Sequence, residues 1–283
     1  MIFELRRDLK KLKNKKKAKI LARFFKTGKG QYGEGDVFLG ITVPQSRKIA
    51  QKFKDLSFGE IEKLLRSKIH EERLIALLIL VERIQNTSEV SSLALSEVEG
   101  GSSEVKRLIF DFYLKNTKYI NNWDLVDLSA DKIVGGYLIN SRHSGPLRPR
   151  LSSTQARSEA SLSRIKARKL ESPASPDPQN DILEKLARSN NLWERRIAII
   201  ATFQFIKEKK DFTWTLKIGE MLLSDKHDLI HKAVGWMLRE VGKRDQQVEE
   251  EFLRKHYKQM PRTMLRYAIE RFEAGKKKFY LGK

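Results

Sequence analysis

Apolar residues recur at steps of three and four positions along most of this chain, which is the spacing of one face of an α-helix. No stretch keeps the alternation of apolar and polar residues that a half-buried strand needs. The clearest amphipathic segments are Phe58 to Leu65, Arg73 to Ile84, Val105 to Leu114, Ile182 to Ala187, Arg195 to Ile206, Leu216 to Leu223, Leu229 to Val241 and Met264 to Phe272. Pro261 is placed to begin a last helix. The sequence therefore predicts an all-α fold.

Grouped as antiparallel pairs, these helices repeat at roughly the spacing of helical-repeat solenoids, whose units run about 34 to 47 residues. At 283 residues the chain is long enough to bury a substantial core. We expect one solenoid domain over residues 1–283. An ordinary helical bundle is the alternative, because its helices have a similar spacing.

Two stretches break the helical pattern, residues 86–103 and residues 141–180. The longer one holds five of the chain's seven prolines and nine serines, and it has no sustained apolar face. Such a composition buries too little to offset the entropy of ordering the chain. We expect residues 141–180 to be a disordered insertion and residues 86–103 to be a short insertion. A basic loop that touches nucleic acid is the alternative for the longer stretch.

The charge of the chain points to a polyanionic partner. Lys and Arg number 57 against 36 Asp and Glu, which gives a net charge of +21. Twelve of these cations lie between Arg6 and Lys29, where the only acid is Asp8. A nucleic acid is the natural partner, and lysine-rich helices that are merely soluble are the alternative.

The chain lacks the features of exported or membrane proteins. It has no cysteine, which excludes disulfides, a cysteine nucleophile and thiolate metal sites and suits a reducing cytoplasm. Its most apolar run, Leu74 to Val81, is flanked by charged residues and predicts a buried helix. The first residues show no export signal. We expect a cytoplasmic protein with no membrane partner.

Trp123 and Asp127 stand four positions apart, so a helix projects both side chains from one face. A carboxylate beside an indole can stabilise a developing cation while the ring packs on a sugar. The alternative is a purely structural helix start. In that case Asn121 or Asn122 caps the helix, Asp124 favours its dipole and Trp123 belongs to the core.

Two further segments carry cations or aromatic rings. Arg195 and Arg196 point about 100° apart around a helix, so we expect one to face a cleft and bind a phosphate while the other pairs with an acid. Gly235 precedes Trp236 inside a helical pattern, where glycine costs about 1 kcal/mol relative to alanine. Either a close backbone approach or a functional role explains that glycine.

Other motifs carry no chemistry. The glycine-rich stretch from Thr27 to Asp36 lacks the Gly-Lys-Ser/Thr ending and the preceding strand of a phosphate-binding loop. His227 and His231 have a metal-binding spacing, but no third ligand is evident nearby. We therefore expect no metal site.

Four segments together resemble the AlkD-like family of DNA alkylation repair enzymes. They are Tyr32-Gly-Glu-Gly-Asp-Val-Phe-Leu-Gly-Ile-Thr-Val-Pro44, Asn122-Trp-Asp-Leu-Val-Asp127, Trp193-Glu-Arg-Arg196 and Lys232-Ala-Val-Gly-Trp-Met-Leu-Arg-Glu240. The resemblance implies a solenoid of HEAT-like repeats whose concave, basic face embraces duplex DNA. It also implies hydrolysis of the N-glycosidic bond of N3- or N7-alkylated purines, with no metal or organic cofactor.

Carried over to this chain, the resemblance gives Asp127 the catalytic role and makes Trp123 and Trp236 the aromatic residues of the catalytic cleft. The cleft arginine matches Arg196 better than Arg195, and a further cleft aromatic matches Tyr32, with Phe24 as the other candidate. The residues expected to contact DNA are Arg196, Arg195, Tyr32, Phe24, Lys26 and Lys29.

We therefore expect a DNA glycosylase that acts as a monomer near the nucleoid, on double-stranded DNA containing alkylated purines. A non-catalytic HEAT-repeat scaffold that binds nucleic acid by charge is the first alternative, but a scaffold needs no carboxylate at Asp127. A helical protein–protein adaptor is the second, and it leaves the charge of +21 unexplained.

Overall fold

In the computed structural model, residues 1–86, 102–141 and 178–282 are described. Within these ranges all regular elements are helical, apart from one isolated bridge between Val37 and Ile69. The α-helices are α1 (Ile2–Leu12), α2 (Lys15–Phe24), α3 (Val43–Lys52), α4 (Phe58–Leu65), α5 (His70–Gln85), α6 (Ser102–Lys115), α7 (Trp123–Asp127), α8 (Gly136–Ser141), α9 (Pro178–Ala187), α10 (Leu192–Ala201), α11 (Phe203–Lys209), α12 (Thr213–Met221), α13 (Asp228–Gly242), α14 (Gln246–His256), α15 (Arg262–Ala268) and α16 (Ala274–Leu281). Short 3-10 helices cover Thr117–Tyr119 and Ile269–Arg271, and a π-helical turn covers Asp131–Gly135. The predicted all-α class is confirmed.

Side chains at the helix starts explain where several helices begin. Ser57 accepts the N–H of Glu60 at 3.2 Å, and Glu60 accepts the N–H of Ser57 at 3.1 Å, so α4 opens with a capping box. Asn122 and Asn191 each accept a backbone N–H from the tryptophan that follows, at 2.8 and 3.0 Å. These caps place a tryptophan in the first turn of both α7 and α10.

Helix α5 is the buried centre of the N-terminal part. Every residue from Leu74 to Val81 is at most 4% exposed, and the helix packs against α3, α4 and the π-helical turn. Burial on all sides explains why its sequence is apolar around the whole helix rather than on one face. The predicted buried helix is therefore confirmed, and none of the described helices is long and apolar enough to cross a membrane.

The first turn of α5 is charged and nevertheless buried. The His70 ring lies between two carboxylates, at 3.1 Å from Asp36 and 2.8 Å from Asp124, and Arg73 donates to Asp36 at 2.5 Å. Burial by itself lowers the pKa of His70, but the hydrogen bond to Asp124 and the other carboxylate contacts outweigh it and raise that pKa to about 9. His70 is therefore a buried cation at neutral pH, and it ties the loop before α3 to α7.

The two glutamates of the same turn anchor other segments. The Glu71 carboxylate accepts the backbone N–H groups of residues 39–41 at 2.8 to 3.2 Å. Glu72 receives two hydrogen bonds from Arg6 of α1, at 3.0 and 2.9 Å. Since a buried charge without a partner costs several kcal/mol, these contacts fix the segments to α5.

Helix α2 lies on the fold without a buried residue of its own. Ile20 and Phe24 are 65% and 61% exposed. The helix is held at its start, where Gly40, at φ +85°, lets the chain approach closely. A Cβ at that position would stand 2.2 Å from the carbonyl oxygen of Asn14. The C-terminal end of α2 therefore projects beside the cleft described below.

Two predicted helices differ from the structure, the second of them in two respects. The predicted helix from Arg195 to Ile206 is divided into α10 and α11 at Thr202, whose hydroxyl donates to the carbonyl of Ile199 at 2.7 Å and competes with the helical ladder. The helix predicted to end at Phe272 ends earlier, at Ala268, and continues as a 3-10 turn. The helix that follows Pro261 is also not the last one, because α16 comes after it.

Most of the two expected insertions lies outside the described residues. At their edges, Ser102 already belongs to α6, Ser141 still belongs to α8, and α9 begins at Pro178. Proline suits the first helical position, since its fixed φ is that of a helix and its missing N–H has no partner there. Residues 178–180, which we expected in the longer insertion, are therefore helical.

Candidate functional site

A cleft of about 710 Å³ opens between the N-terminal and C-terminal parts of the chain. Its walls come from the end of α2 and the loop after it, from α7 and α10, and from α13 and α15. The residues that line it are Phe24, Lys26, Gly30, Gln31, Tyr32, Trp123, Asp127, Arg196, His227, Asp228, Leu229, Lys232, Trp236, Arg239 and Tyr267.

Most of the residues singled out in the sequence meet in this cleft, although they are far apart in the chain. The cleft brings together Phe24, Lys26, Tyr32, Trp123, Asp127, Arg196 and Trp236. Both candidates for the additional aromatic, Tyr32 and Phe24, line it. Arg195 and Lys29 are not among the lining residues.

Asp127 occupies the last turn of the short helix α7, one turn after Trp123. Its side chain is 16% exposed, and the exposed part faces the cleft. Burial raises the pKa of Asp127 above its ordinary value, the nearby carboxylates of Asp124 and Asp131 add to this rise, and Arg196 opposes it. Asp127 is therefore an acid in a weakly solvated position whose ionisation depends on its neighbours.

Arg196 is the partner of that carboxylate. Its Nε donates to Oδ1 of Asp127 at 2.9 Å and its Nη2 donates to Oδ2 at 2.8 Å, which is a bidentate pair. Its Nη1 donates to the carbonyl oxygen of Leu229 at 2.5 Å. We expected Arg196 to bind a phosphate, but in this structure Asp127 neutralises its charge. Arg196 thus orients the Asp127 carboxylate and favours its ionised form, and its contact with a phosphate stays a prediction.

The neighbouring Arg195 points away from the cleft. Its Nε donates to Asp225 at 2.6 Å, and its Nη1 donates to the carbonyl of Ser189 at 3.0 Å. The sequence predicted that one arginine faces the cleft and that the other pairs with an acid. Only Arg196 lines the cleft, but both arginines pair with an acid. The direct DNA contact expected of Arg195 has no support in its position.

Aromatic rings support the two tryptophans of the cleft. Trp123 stacks on Phe25 with centroids 5.1 Å apart, and Phe24 meets it edge-on at 5.7 Å. Trp236 donates its Nε1–H to Glu240 at 3.2 Å and lies 6.0 Å from the ring of Phe203. Each indole therefore has a fixed orientation, which a surface for stacking on a flat or cationic group requires.

Gly235 sets the distance between α13 and α15. A Cβ at this position would stand 2.4 Å from the carbonyl oxygen of Met264 and 2.5 Å from Cβ of Tyr267. Of the two explanations that the sequence left open, a close backbone approach is the one that the structure has. The approach brings Tyr267 to the cleft wall beside Trp236.

Sequence reasoning missed several lining residues, chiefly Lys232, Tyr267 and His227. Lys232 precedes Trp236 by four positions and so shares its helical face, which is a signal that was present in the sequence. Lys232 is paired with Asp228 at 2.6 Å. His227 caps α13, and it is not part of a metal-binding pair with His231. Among the described residues no cluster of His, Asp and Glu is arranged to hold a metal ion.

A second cavity, of about 480 Å³, lies beneath α2. Its lining is mostly apolar and includes Ile20, Phe25 and Phe38. It shares Trp123 and Asp127 with the cleft, so the same carboxylate borders both spaces.

Comparison with known proteins shows the family and the fold of the chain. A family model described as DNA alkylation repair enzyme matches residues 5–164 and 161–272, two overlapping segments. A solved structure of a predicted DNA alkylation repair enzyme from Enterococcus faecalis superposes with a TM-score of 0.59 over 93% of this chain and 97% of that chain. The two sequences are 17% identical, so this likeness concerns the fold alone. No curated protein matches the chain. Since the family match runs from residue 5 to residue 272, the chain belongs to the family of DNA alkylation repair enzymes.

Proposed function

We propose that this protein is a DNA glycosylase that hydrolyses the N-glycosidic bond of N3- or N7-alkylated purines in duplex DNA. The observation that carries the proposal is the position of Asp127. It is a carboxylate held by a bidentate arginine at the base of a cleft that Trp123 and Trp236 also line.

The chemistry of such a lesion matches what the cleft offers. An N3- or N7-alkylated purine already carries a positive charge, so it leaves as a neutral base when it takes the electron pair of its bond to C1′. No acid has to protonate it. The remaining task is to stabilise the cationic sugar until water adds to C1′ and loses a proton to solvent. A preorganised carboxylate and aromatic faces perform that task.

The cations around the cleft supply the attraction for the DNA backbone. Lys26 lines the cleft, and α2 adds five Lys or Arg on a helix with no buried residue. We propose that these residues belong to the concave, basic face of a HEAT-like solenoid that binds phosphates without reading sequence. We also propose that the protein works as a monomer, in the cytoplasm near the nucleoid, without a cofactor.

The direct test is incubation of the purified protein with duplex DNA that contains 7-methylguanine. We expect free 7-methylguanine in the supernatant and no free guanine from the undamaged duplex of the same sequence. The released base is identified by chromatography and mass spectrometry. Tight binding without release of any methylated base would refute the glycosylase and leave the non-catalytic scaffold.

A further inference from the structure

The two adjacent arginines of α10 hold the same short segment, residues 225–229, which leads into α13. Arg195 binds the side chain of Asp225, and Arg196 binds the carbonyl oxygen of Leu229. Asp225 in turn accepts the backbone N–H of His227 at 2.8 Å. The segment between the two arginines is thus fixed at both ends, with His227 in its middle.

His227 links the two ends of this segment through a hydrogen bond to Leu229. Its Nδ1 accepts the backbone N–H of Leu229 at 3.1 Å, which caps the start of α13. The N–H and the carbonyl of Leu229 therefore serve two partners, since the N–H goes to His227 and the carbonyl goes to Arg196. A continuous chain of hydrogen bonds leads from His227 through Leu229 and Arg196 to Asp127.

The protonation state of His227 follows from this geometry. A ring nitrogen that accepts an N–H carries no proton, so the ring is neutral with its proton on Nε2. Burial lowers the pKa of His227, Arg195 and His231 act in the same direction, and Asp225 and Asp228 oppose them. The neutral form that the cap requires is therefore the form that the surroundings favour.

We propose that His227 is a positioning residue for the reaction: by holding Leu229, it fixes the carbonyl that keeps the Arg196 guanidinium on Asp127. The effect on base release rests on the proposed function, whereas the effect on the titration of Asp127 does not. Without the cap the first turn of α13 is held less firmly, and the Leu229 carbonyl can shift relative to Arg196. The Arg196 guanidinium then holds the Asp127 carboxylate less closely. Asp127 then binds a proton more readily.

Among the described residues, the charged groups that act most strongly on Asp127 lie on three elements. Arg196 of α10 favours its ionised form, while Asp124 of α7 and Asp131 of the π-helical turn disfavour it. Because Arg196 is the one cation among these groups, a change in its position has to appear in the titration of Asp127.

The test compares two substitutions at one position. His227→Asn keeps an oxygen that caps a helix, whereas His227→Ala removes the cap. We expect His227→Asn to behave like the wild type at pH 7.5. We expect His227→Ala to move the acid limb of base release upward by about 0.5 to 1 pH unit, which slows release about fivefold on the acid side of that limb. An unchanged rate and limb in His227→Ala would overturn the proposal, and so would an equal loss in His227→Asn.

A double substitution tests whether His227 acts through Arg196. Arg196→Lys keeps the charge but cannot make the bidentate pair together with the bond to Leu229. If His227 acts through this residue, His227→Ala causes no further loss of base release in the Arg196→Lys background. A full fivefold loss in that background would show that the histidine acts by another route.

A readout without DNA separates this proposal from the glycosylase assignment. The carboxyl carbon of Asp127, observed by NMR in the free protein, reports its titration directly. We expect the midpoint to rise in His227→Ala and to stay unchanged in His227→Asn, whether or not the protein releases any base. A midpoint that is equal in all three proteins would overturn the positioning role.

Discussion

Two opposing requirements meet at Asp127, the carboxylate of the cleft. A carboxylate that stabilises a cationic sugar has to be ionised and has to be poorly solvated, and poor solvation itself favours protonation. In Asp127 burial prevails and raises the pKa, although the bidentate contact with Arg196 offsets part of that effect. We therefore expect base release to decline on the acid side at a pH above the ordinary aspartate value of 3.8.

Asp127→Asn tests the role of this charge. We expect base release to fall by about 10² to 10³, because a neutral amide no longer stabilises the cationic sugar. Binding to duplex DNA should change little, since one acid is lost from a protein with 57 cations. Single-turnover base release and fluorescence anisotropy measure the two quantities.

Asp111→Asn is the matched control for this substitution. It removes the same charge from an exposed site on α6 that does not line the cleft. Release at the wild-type rate by Asp127→Asn, or an equal loss in Asp111→Asn, would contradict the catalytic assignment.

At the scale of the helices, the sequence predicted those features that depend on local spacing. Burial of one helical face imposes steps of three and four residues, so α4 and α13 were visible in the sequence. The step of four from Trp123 to Asp127 likewise predicted that both share one face, and both line the cleft.

Features that depend on distant partners were not predictable. Arg195 and Arg196 are distinguished only by Asp225 and Asp127, acids that lie 30 and 69 positions away. His227 is another example, because histidine is not among the preferred capping residues and its bond to Leu229 leaves no pattern in the sequence.

Gly235→Ala tests the contact between α13 and α15. The added methyl group meets backbone at 2.4 Å, so the helices have to move apart, and overpacking of this kind costs about 1 to 3 kcal/mol. We expect a lower melting temperature together with slower base release, because Trp236 and Tyr267 line the cleft on these two helices.

Gly59→Ala provides the control. It lies in α4, and apart from its chain neighbours and the backbone of its own helix no atom lies within 4 Å of the added Cβ. There the same substitution should stabilise the protein by up to about 1 kcal/mol, because alanine has the higher helix propensity. A Gly235→Ala protein as stable as the wild type would show that the two helices tolerate a wider separation.

At the scale of the whole molecule, the net charge of +21 determines how the protein meets DNA. Each phosphate that a lysine or arginine neutralises contributes about 0.9 to the slope of log affinity against log salt. Lys26 lines the cleft, and the structure shows no acid paired with it in the described residues. Arg196 lines the same cleft but is already neutralised by Asp127.

We expect Lys26→Ala to lower the salt slope by about 0.9, and Arg196→Ala to leave it nearly unchanged. Both substitutions remove one positive charge from one cleft, so each is the control for the other. Salt titrations of binding to damaged and undamaged duplexes provide the slopes. If instead Arg196→Ala lowers the salt slope and Lys26→Ala leaves it unchanged, Arg196 binds a phosphate and Lys26 does not.

The pH dependence of stability is the second property of the whole molecule. His70 has a folded pKa of about 9, above its ordinary 6.5, so its stabilising effect is complete below pH 6.5 and is lost as the pH rises through about 9. Burial raises the pKa of Glu249 on α14 to about 8, so this carboxyl ionises more readily in the unfolded chain. The folded protein therefore also loses stability as the pH rises from 4.5 through about 8. Both groups therefore lower the stability of the folded protein as the pH rises.

We therefore expect the melting temperature to fall between pH 6 and pH 9. Glu249→Gln keeps the size of the side chain but cannot ionise, so its melting temperature should fall less over the same range. Calorimetry at several pH values measures the difference. Parallel curves for the wild type and Glu249→Gln would mean that this carboxyl does not titrate in the folded protein.

The pair of Asp127 and Arg196 also has a consequence for the order in which the protein is made. The two residues are 69 positions apart, and ribosomes add about 5 to 20 residues per second, so the acid is synthesised about 3 to 14 seconds before its partner. The lysine-rich helices α1 and α2 are synthesised before either residue of this pair. The ion pair at the cleft can therefore form only after α10 has left the ribosome, so the cleft is completed late in synthesis.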